Sequence, residues 1–434
     1  MLTYTHMETN NPQLYQLNNT PSQLEALESD GTTVPNWKTN SDSVVLDASY
    51  DFGSGFALSN TVYYTDLNVD RFISPENFGS ATLKSTDIGN EAKLNYKSDG
   101  GRVSAVGGIF FRHLESNDIV NFRGITDYDN EKTGLGVFTE TTIELGDRWD
   151  VTAGLRYQRD RVERAGVNAL AGGGTFSFEE TYDTWLPKFA VGYEAAPGVR
   201  VGALVSRGSN PGGVSFSFAE GDFVEFEQET VWNYELFSRI EAIDSRLLIN
   251  ANLFFSDFRD AQRFQRTLLE SGLEDVIAIN ADESVSYGLE LSADFAVTES
   301  LSVSGALGIL ETEFESFPAT LNDLEGNSFE ASPEITGNMA FSWDIVEWST
   351  LRASVRYTGD YFSDDFNTPA LKINSFVIAD ASLAFRPADN VEIFLFANNV
   401  FDETQPTRLL SRAPNVFANI NVPREYGVRV NFEF

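Results

Sequence analysis

Few residues of this chain are suited to covalent or metal chemistry. Cysteine is absent, which excludes disulfides, thiolate metal sites and cysteine nucleophiles. The only histidines are His6 and His113. A zinc site or a serine–histidine–aspartate relay would have to be built from those two. Ser116 lies close to His113 in sequence, but a histidine at the base of a loop is the plainer reading. Ala171-Gly-Gly-Gly-Thr175 is glycine-rich yet lacks the lysine of a phosphate-binding loop, so it reads as a loop tip. The acidic run from Glu220 to Glu229 is either a divalent-cation site or a solvated rim. No dinucleotide fingerprint or metalloprotease helix motif is present. The expectation is a protein that is not an enzyme and has no resident metal or cofactor.

Binding is better represented than catalysis. Phe216, Phe218, Phe223, Phe226, Phe317, Phe362 and Phe366 fall in segments between strands. Clustered exposed aromatics either mark a binding surface or pack loop on loop. Arg207 and Arg356 either meet an anionic ligand, since guanidinium suits carboxylate and phosphate, or cross-link acidic neighbours.

The elements that must position these residues are strands. In the last segment Tyr426, Val428, Val430, Phe432 and Phe434 fall on one face, and Glu425, Gly427, Arg429, Asn431 and Glu433 on the other. Alternation with period two is a sheet signature. The same split occurs at 43–52, 284–297, 301–309 and 349–358. Short connections, such as Pro197-Gly198 and Ala388-Asp389, alternate with long polar ones at 67–85, 209–229, 315–333, 361–372 and 400–423. That beat predicts an all-β, transmembrane antiparallel barrel with short periplasmic turns and long extracellular loops. A count back from Phe434 yields about 17 strands, or about 18 if 1–8 is one. No linker divides the chain, so one domain over 1–434 is expected.

In lipid the apolar face of a closed sheet points outward and the polar face, with Glu290, Asp294, Arg352, Arg356, Arg429 and Glu433, lines a wet lumen. A soluble sandwich would invert the faces with the same alternation; the rhythm of the connections favours the membrane. Tyr63, Tyr64, Trp149, Trp185, Tyr193, Trp232, Trp343, Trp348, Tyr357 and Tyr361 are expected in interfacial girdles. No run approaches the ~18 apolar residues of a membrane helix. The net charge of −35 argues against nucleic acid and against an anionic cytoplasmic leaflet.

Several segments together resemble TonB-dependent outer-membrane receptors of Gram-negative bacteria. They are Leu186-Pro-Lys-Phe-Ala-Val-Gly-Tyr193, Ser206-Arg-Gly-Ser-Asn-Pro-Gly-Gly213, Asn233-Tyr-Glu-Leu-Phe237 and Asn252-Leu-Phe-Phe-Ser-Asp-Phe258. Tyr287-Gly-Leu-Glu-Leu291, Asn398-Asn-Val-Phe-Asp402 and the ending from Pro423 to Phe434 complete the series. The resemblance implies a barrel of about 22 strands around a plug domain. It also implies a ligand held between plug, upper wall and outer loops, where Arg207, Arg356 and the loop phenylalanines would act. Met1–Asn10 lacks the basic and apolar regions of a signal peptide. The expectation is therefore a C-terminal barrel portion beginning near the family's fifth strand, with plug and TonB contact outside it and two unpaired sheet edges.

The function implied is TonB-dependent uptake of a scarce nutrient, most commonly a ferric siderophore. The alternatives are a plugless passive porin or structural barrel, or uptake of an oligosaccharide or cobalamin. The partners implied are outer-membrane lipid and lipopolysaccharide, the TonB–ExbB–ExbD system, a small-molecule ligand and the barrel-assembly machinery. Tyr426, Val428, Val430, Phe432 and Phe434 resemble the terminal signal that this machinery reads.

Overall fold

The computed structural model describes residues 1–12, 16–19, 34–74, 80–121, 125–168, 174–217, 222–268, 274–317, 324–388, 390–412 and 415–432. Eighteen strands form one sheet. The first six are β1 (Leu2–Pro12), β2 (Val34–Gly53), β3 (Phe56–Ser74), β4 (Ser80–Lys97), β5 (Val103–Asn121) and β6 (Ile125–Leu145). Then come β7 (Trp149–Asn168), β8 (Gly174–Ala196), β9 (Val199–Asn210), β10 (Glu229–Ala242), β11 (Leu247–Leu268) and β12 (Glu274–Ala296). The last six are β13 (Leu301–Ser316), β14 (Ile335–Val346), β15 (Ser349–Thr358), β16 (Phe376–Ala388), β17 (Val391–Asn398) and β18 (Glu425–Phe432). Each pairs antiparallel with the next. The N-terminal segment is thus a strand, and the higher of the two sequence counts is the right one.

Hairpin follows hairpin because the connections at one end are too short for anything else. At the β2–β3 turn Ser54 and Gly55 both have positive φ, 52° and 80°, the handedness that matches the twist of the flanking strands. A Cβ on Gly55 would run into the Lys97 carbonyl, so only glycine serves there.

The wall buries little of its apolar side. Leu236, Leu253 and Met339 are 59%, 52% and 62% exposed, on the outward face. In water such a surface would be a liability; in lipid it is the solvated one. The inward face carries ion pairs instead. Arg112 meets Asp87 at 2.8 Å, Lys188 meets Glu140 at 2.9 Å and Arg356 meets Asp380 at 3.0 Å. Arg352 and Arg429 line the same inner wall, as does Glu290 farther round.

Aromatic pairs bracket the outward apolar run Val151, Ala153 and Leu155. Trp149 and Tyr193 lie 4.4 Å apart at one end, and Tyr157 and Trp185 lie 5.0 Å apart at the other. Two residues expected in these girdles lie elsewhere. Tyr63 faces inward and lays its ring over Gly89. Tyr361 sits beyond the wall, donating its hydroxyl to the Thr407 carbonyl.

Some of the long polar stretches are strands rather than the loops expected from sequence, whereas 324–334 and 363–371 lie outside any strand. In place of a loop over 67–85, β3 continues to Ser74 and β4 starts at Ser80. Strands of up to 23 residues far exceed the ~9–11 needed to cross a bilayer, so they project beyond it. Apolar alternation fades where both faces are wet, but backbone pairing persists, as in Lys38 opposite Asp70. Other connections fold into small hairpins: 213–217 with 222–226, and 406–412 with 415–420. Gln16–Asn19 pairs with Val416–Asn419, joining the segment after β1 to the one before β18. Among the described residues no pairing joins β1 to β18, so these two strands keep the separate edges expected from sequence, while the segments beyond them meet above the membrane. Tyr426, Val428, Val430 and Phe432 share the exposed outward face of β18, and Phe434 lies outside the described residues.

Candidate functional site

Buried apolar clusters gather at the long-connection end. In one, Phe314, Phe317, Ile277 and Ile279 pack with Phe329 and Phe366. Above them Arg263, from the outer part of β11, grips Asp365 through Nε to Oδ2 at 2.9 Å and Nη2 to Oδ1 at 2.5 Å. The guanidinium also lies over the rings of Phe314 and Phe329, at 5.5 and 4.8 Å. Asp365 is nearly buried and takes a third bond from the Glu330 amide at 2.7 Å. Burial, then the charge of Asp365, raises the Glu330 carboxyl above its ordinary range, although Arg408 lies 3.7 Å away. A cavity of about 240 Å³ adjoins this network, lined by Arg263, Arg266, Glu330, Asp364, Phe317 and Phe366 among others. The pairing of Arg263 with Asp365 is internally complete, so it fastens the connections after β13 and β15 to the top of β11.

A second concentration lies against β6 and β7. On β6, Leu135 and Val137 point outward, so Tyr128, Lys132 and Gly134 share the inward face. The paired segments 213–217 and 222–226 fold onto that face. Phe223 stacks on Phe176 at 3.5 Å, meets Phe216 edge-on at 5.1 Å and lies 6.3 Å from Tyr128. Arg164 on β7 covers the Tyr128 ring at 4.5 Å and donates Nη1 to the Val214 carbonyl at 3.2 Å. Lys132 is solvent-accessible near Arg164. Its row lies above the upper girdle, because Val137 opposes Tyr157 whereas Lys132 opposes Val162. The concave wall desolvates it, and Arg112 and Arg164 add positive charge, so its ammonium sits below the usual lysine range. This corner joins cations to rings and suits an anion.

Polar inside and apolar outside, a continuous up-and-down ladder and a folded mouth are the marks of an outer-membrane barrel. Residues 2–400 match the TonB-dependent receptor-like β-barrel family. The chain belongs to that family. TonB-dependent receptor barrels reside in the outer membrane of Gram-negative bacteria, and so does this one. It is similar to the pesticin receptor of Yersinia pestis, 24% identical over 319 residues, covering 71% of this chain and 45% of that protein. The chain thus spans about half the length of the curated relatives it matches. The ferric yersiniabactin uptake receptor FyuA of Yersinia pestis superposes with a TM-score of 0.79 at 20% identity, over 94% of this chain and 63% of that one. The siderophore receptor PiuA of Acinetobacter baumannii superposes with a TM-score of 0.81 at 14% identity, over 100% of this chain and 71% of that one. At such identities the superpositions show the fold. The relatives are receptors and transporters rather than enzymes.

In this TonB-dependent receptor barrel the residues singled out from sequence do not converge on one spot. Phe216 and Phe223 join the inward aromatic corner, and Phe226 covers Gly213 in the same hairpin. Phe218 lies outside the described residues. Phe366 and Phe317 line the cavity beside Arg263, whereas Phe362 lies under the Lys372 ammonium, 5.5 Å from it. Arg356 is engaged by Asp380 on the inner wall, which is the cross-linking alternative. Arg207 opposes Trp232 in the row of Val205 and Tyr234 and shares their outward face, so it does not face the lumen. His113 and Ser116 fall on opposite faces by alternation; His113 bonds Thr133 at 3.0 Å and Glu115 at 3.1 Å. In the acidic run, Asp222–Phe226 is a hairpin strand. Among the described residues no group of three His, Asp or Glu is placed to hold a metal.

Sequence reasoning missed Arg263, Lys132, Arg164 and Tyr128. All four lie in strands where these project past the membrane, segments read as wall or loop. Inward parity above a girdle was the available signal, but it needs the girdle to be located first.

Proposed function

We propose that the protein is the barrel of a receptor that takes up a ferric siderophore-type chelate by TonB-dependent transport. One observation carries the reading: inward cations and rings meet at the top of a polar lumen, where a chelate arriving from outside would first dock. Names of relatives support it, since FyuA is a ferric yersiniabactin receptor and PiuA a siderophore receptor. The wall from β1 to β18 serves as one domain. Coupling to TonB–ExbB–ExbD, docking of a plug and recognition of β18 by the assembly machinery are parts of the same proposal. So is the lipopolysaccharide around the outward face.

The test is radio-iron uptake by iron-starved cells that carry the gene as their sole siderophore receptor. Uptake of siderophore-bound iron that disappears without TonB is the expected result. Equal uptake with and without TonB would instead make the protein a passive barrel.

A further inference from the structure

Cations without carboxylate partners are informative in a chain with 30 Lys and Arg against 65 Asp and Glu. Several inward cations are neutralised where they stand: Arg112 by Asp87, Arg200 by Asp150, Lys188 by Glu140. Lys132 differs. Among the described residues it forms no ion pair, and the charges it senses, Arg112 and Arg164, are both positive. Arg164 is likewise without a carboxylate partner among the described residues, and its Nε is buried with no acceptor. Two like charges held together on an inner wall repel each other, and the arrangement is relieved when an anion enters between them.

The surroundings narrow the anion. Phe176, Phe223 and Phe216 are partly exposed around Tyr128, and the hairpin that carries two of them is anchored to the wall by other contacts. Ser217 Oγ donates to Asp275 at 2.7 Å, and the Ala278 amide donates to Ser215 Oγ at 3.0 Å. Phe176 and Phe223 stack on each other and pack against buried Val162, Phe178 and Val214, so what they offer a ligand is their remaining, partly exposed side. A flat ring stacks on such a wall, and its charged substituent then falls beside the cations.

We propose that this corner recognises an anionic iron chelate with aromatic donor groups, of the phenolate or catecholate type. Lys132 and Arg164 meet the negative charge, and Phe176 and Phe223 meet the ring. The proposal rests on the uptake reading above and narrows its ligand. A ferric tris-catecholate keeps net negative charge, whereas a ferric trihydroxamate is neutral and has no ring, so the two probes separate the chemistry.

The experiment is quenching of tryptophan fluorescence in the full chain, folded in detergent, by ferric tris(2,3-dihydroxybenzoate) and by an aliphatic ferric trihydroxamate. Heat-modifiable migration on a gel checks that each variant is folded. The expected result is tighter binding of the catecholate, weakened ~10-fold by Lys132→Gln and restored by Lys132→Arg. Phe223→Leu should weaken it about fivefold. Unchanged catecholate affinity in folded Lys132→Gln overturns the proposal. Tighter binding of the hydroxamate also overturns it but leaves siderophore uptake standing. If neither chelate binds the unaltered protein, both readings fall.

Discussion

The wall and the mouth of this barrel are held together by different physics. In the wall, apolar side chains such as Leu253 and Met339 point away from the protein, and lateral hydrogen bonds and inward ion pairs do the joining. In the mouth, the connections after β13, β15 and β17 build buried clusters of the kind found in soluble proteins. Phe314 and Ile373 are almost wholly buried there, and Arg263 grips Asp365. The wall borrows its apolar solvent from the membrane, whereas the mouth stands in water and must make its own interior. The two regions should therefore respond oppositely to the same kind of substitution.

The largest effect is expected at the mouth. Arg263→Met leaves the Asp365 carboxylate buried without its partner, a loss of ~3–5 kcal/mol. Proteolysis should then cut the 317–334 and 359–375 connections while the wall keeps its heat-modifiable migration. Loss of both together would mean that mouth and wall fold as one unit. Next comes Leu253→Arg, in the outward apolar band. Facing lipid it costs ~2–4 kcal/mol, read from urea unfolding in vesicles. A change within about 0.5 kcal/mol would mean that this face sees water and that the membrane assignment is wrong.

A smaller wall effect is expected at Gly202. A Cβ there would strike the Phe237 ring and the Val191 carbonyl, so Gly202→Ala should destabilise the wall by ~1–3 kcal/mol in the same assay. Mouth proteolysis should be unmoved. The smallest effect is a pH dependence confined to the mouth. Glu330 holds its proton above the ordinary glutamate value of 4.5 because it is buried near Asp365. The folded mouth thus binds more protons than the unfolded chain just above that value. Its stabilising contribution is complete below pH 4.5 and is lost as pH rises through the raised value. Protease resistance of the mouth should decline across that window, and Glu330→Gln should flatten the decline.

The wall was legible from sequence because its environment imposes a strict rule. One face is lipid and the other water, so Tyr426, Val428, Val430 and Phe432 had to alternate with polar neighbours. The mouth was less legible for the same reason in reverse. With water on both sides, β3 runs on to Ser74 and β4 starts at Ser80 on mixed polar residues that resemble a loop. Arg207 shows the cost of reading residue type without parity: an arginine in a promising segment faces outward beside Trp232. Arg356 shows a second limit, because the carboxylate that occupies it, Asp380, belongs to the next strand.

Sequence alone determined the strand period, the order of hairpins and the polarity of the two faces, since each follows from local alternation and connection length. Which cations are neutralised and which stand open was decided by tertiary structure. Arg263 and Asp365 lie far apart in the chain, as do Arg164 and Val214, and their meeting depends on how each connection folds back over the mouth. Local pattern fixes which way a side chain points; only the arrangement of strands and connections distant in the chain fixes what it meets there.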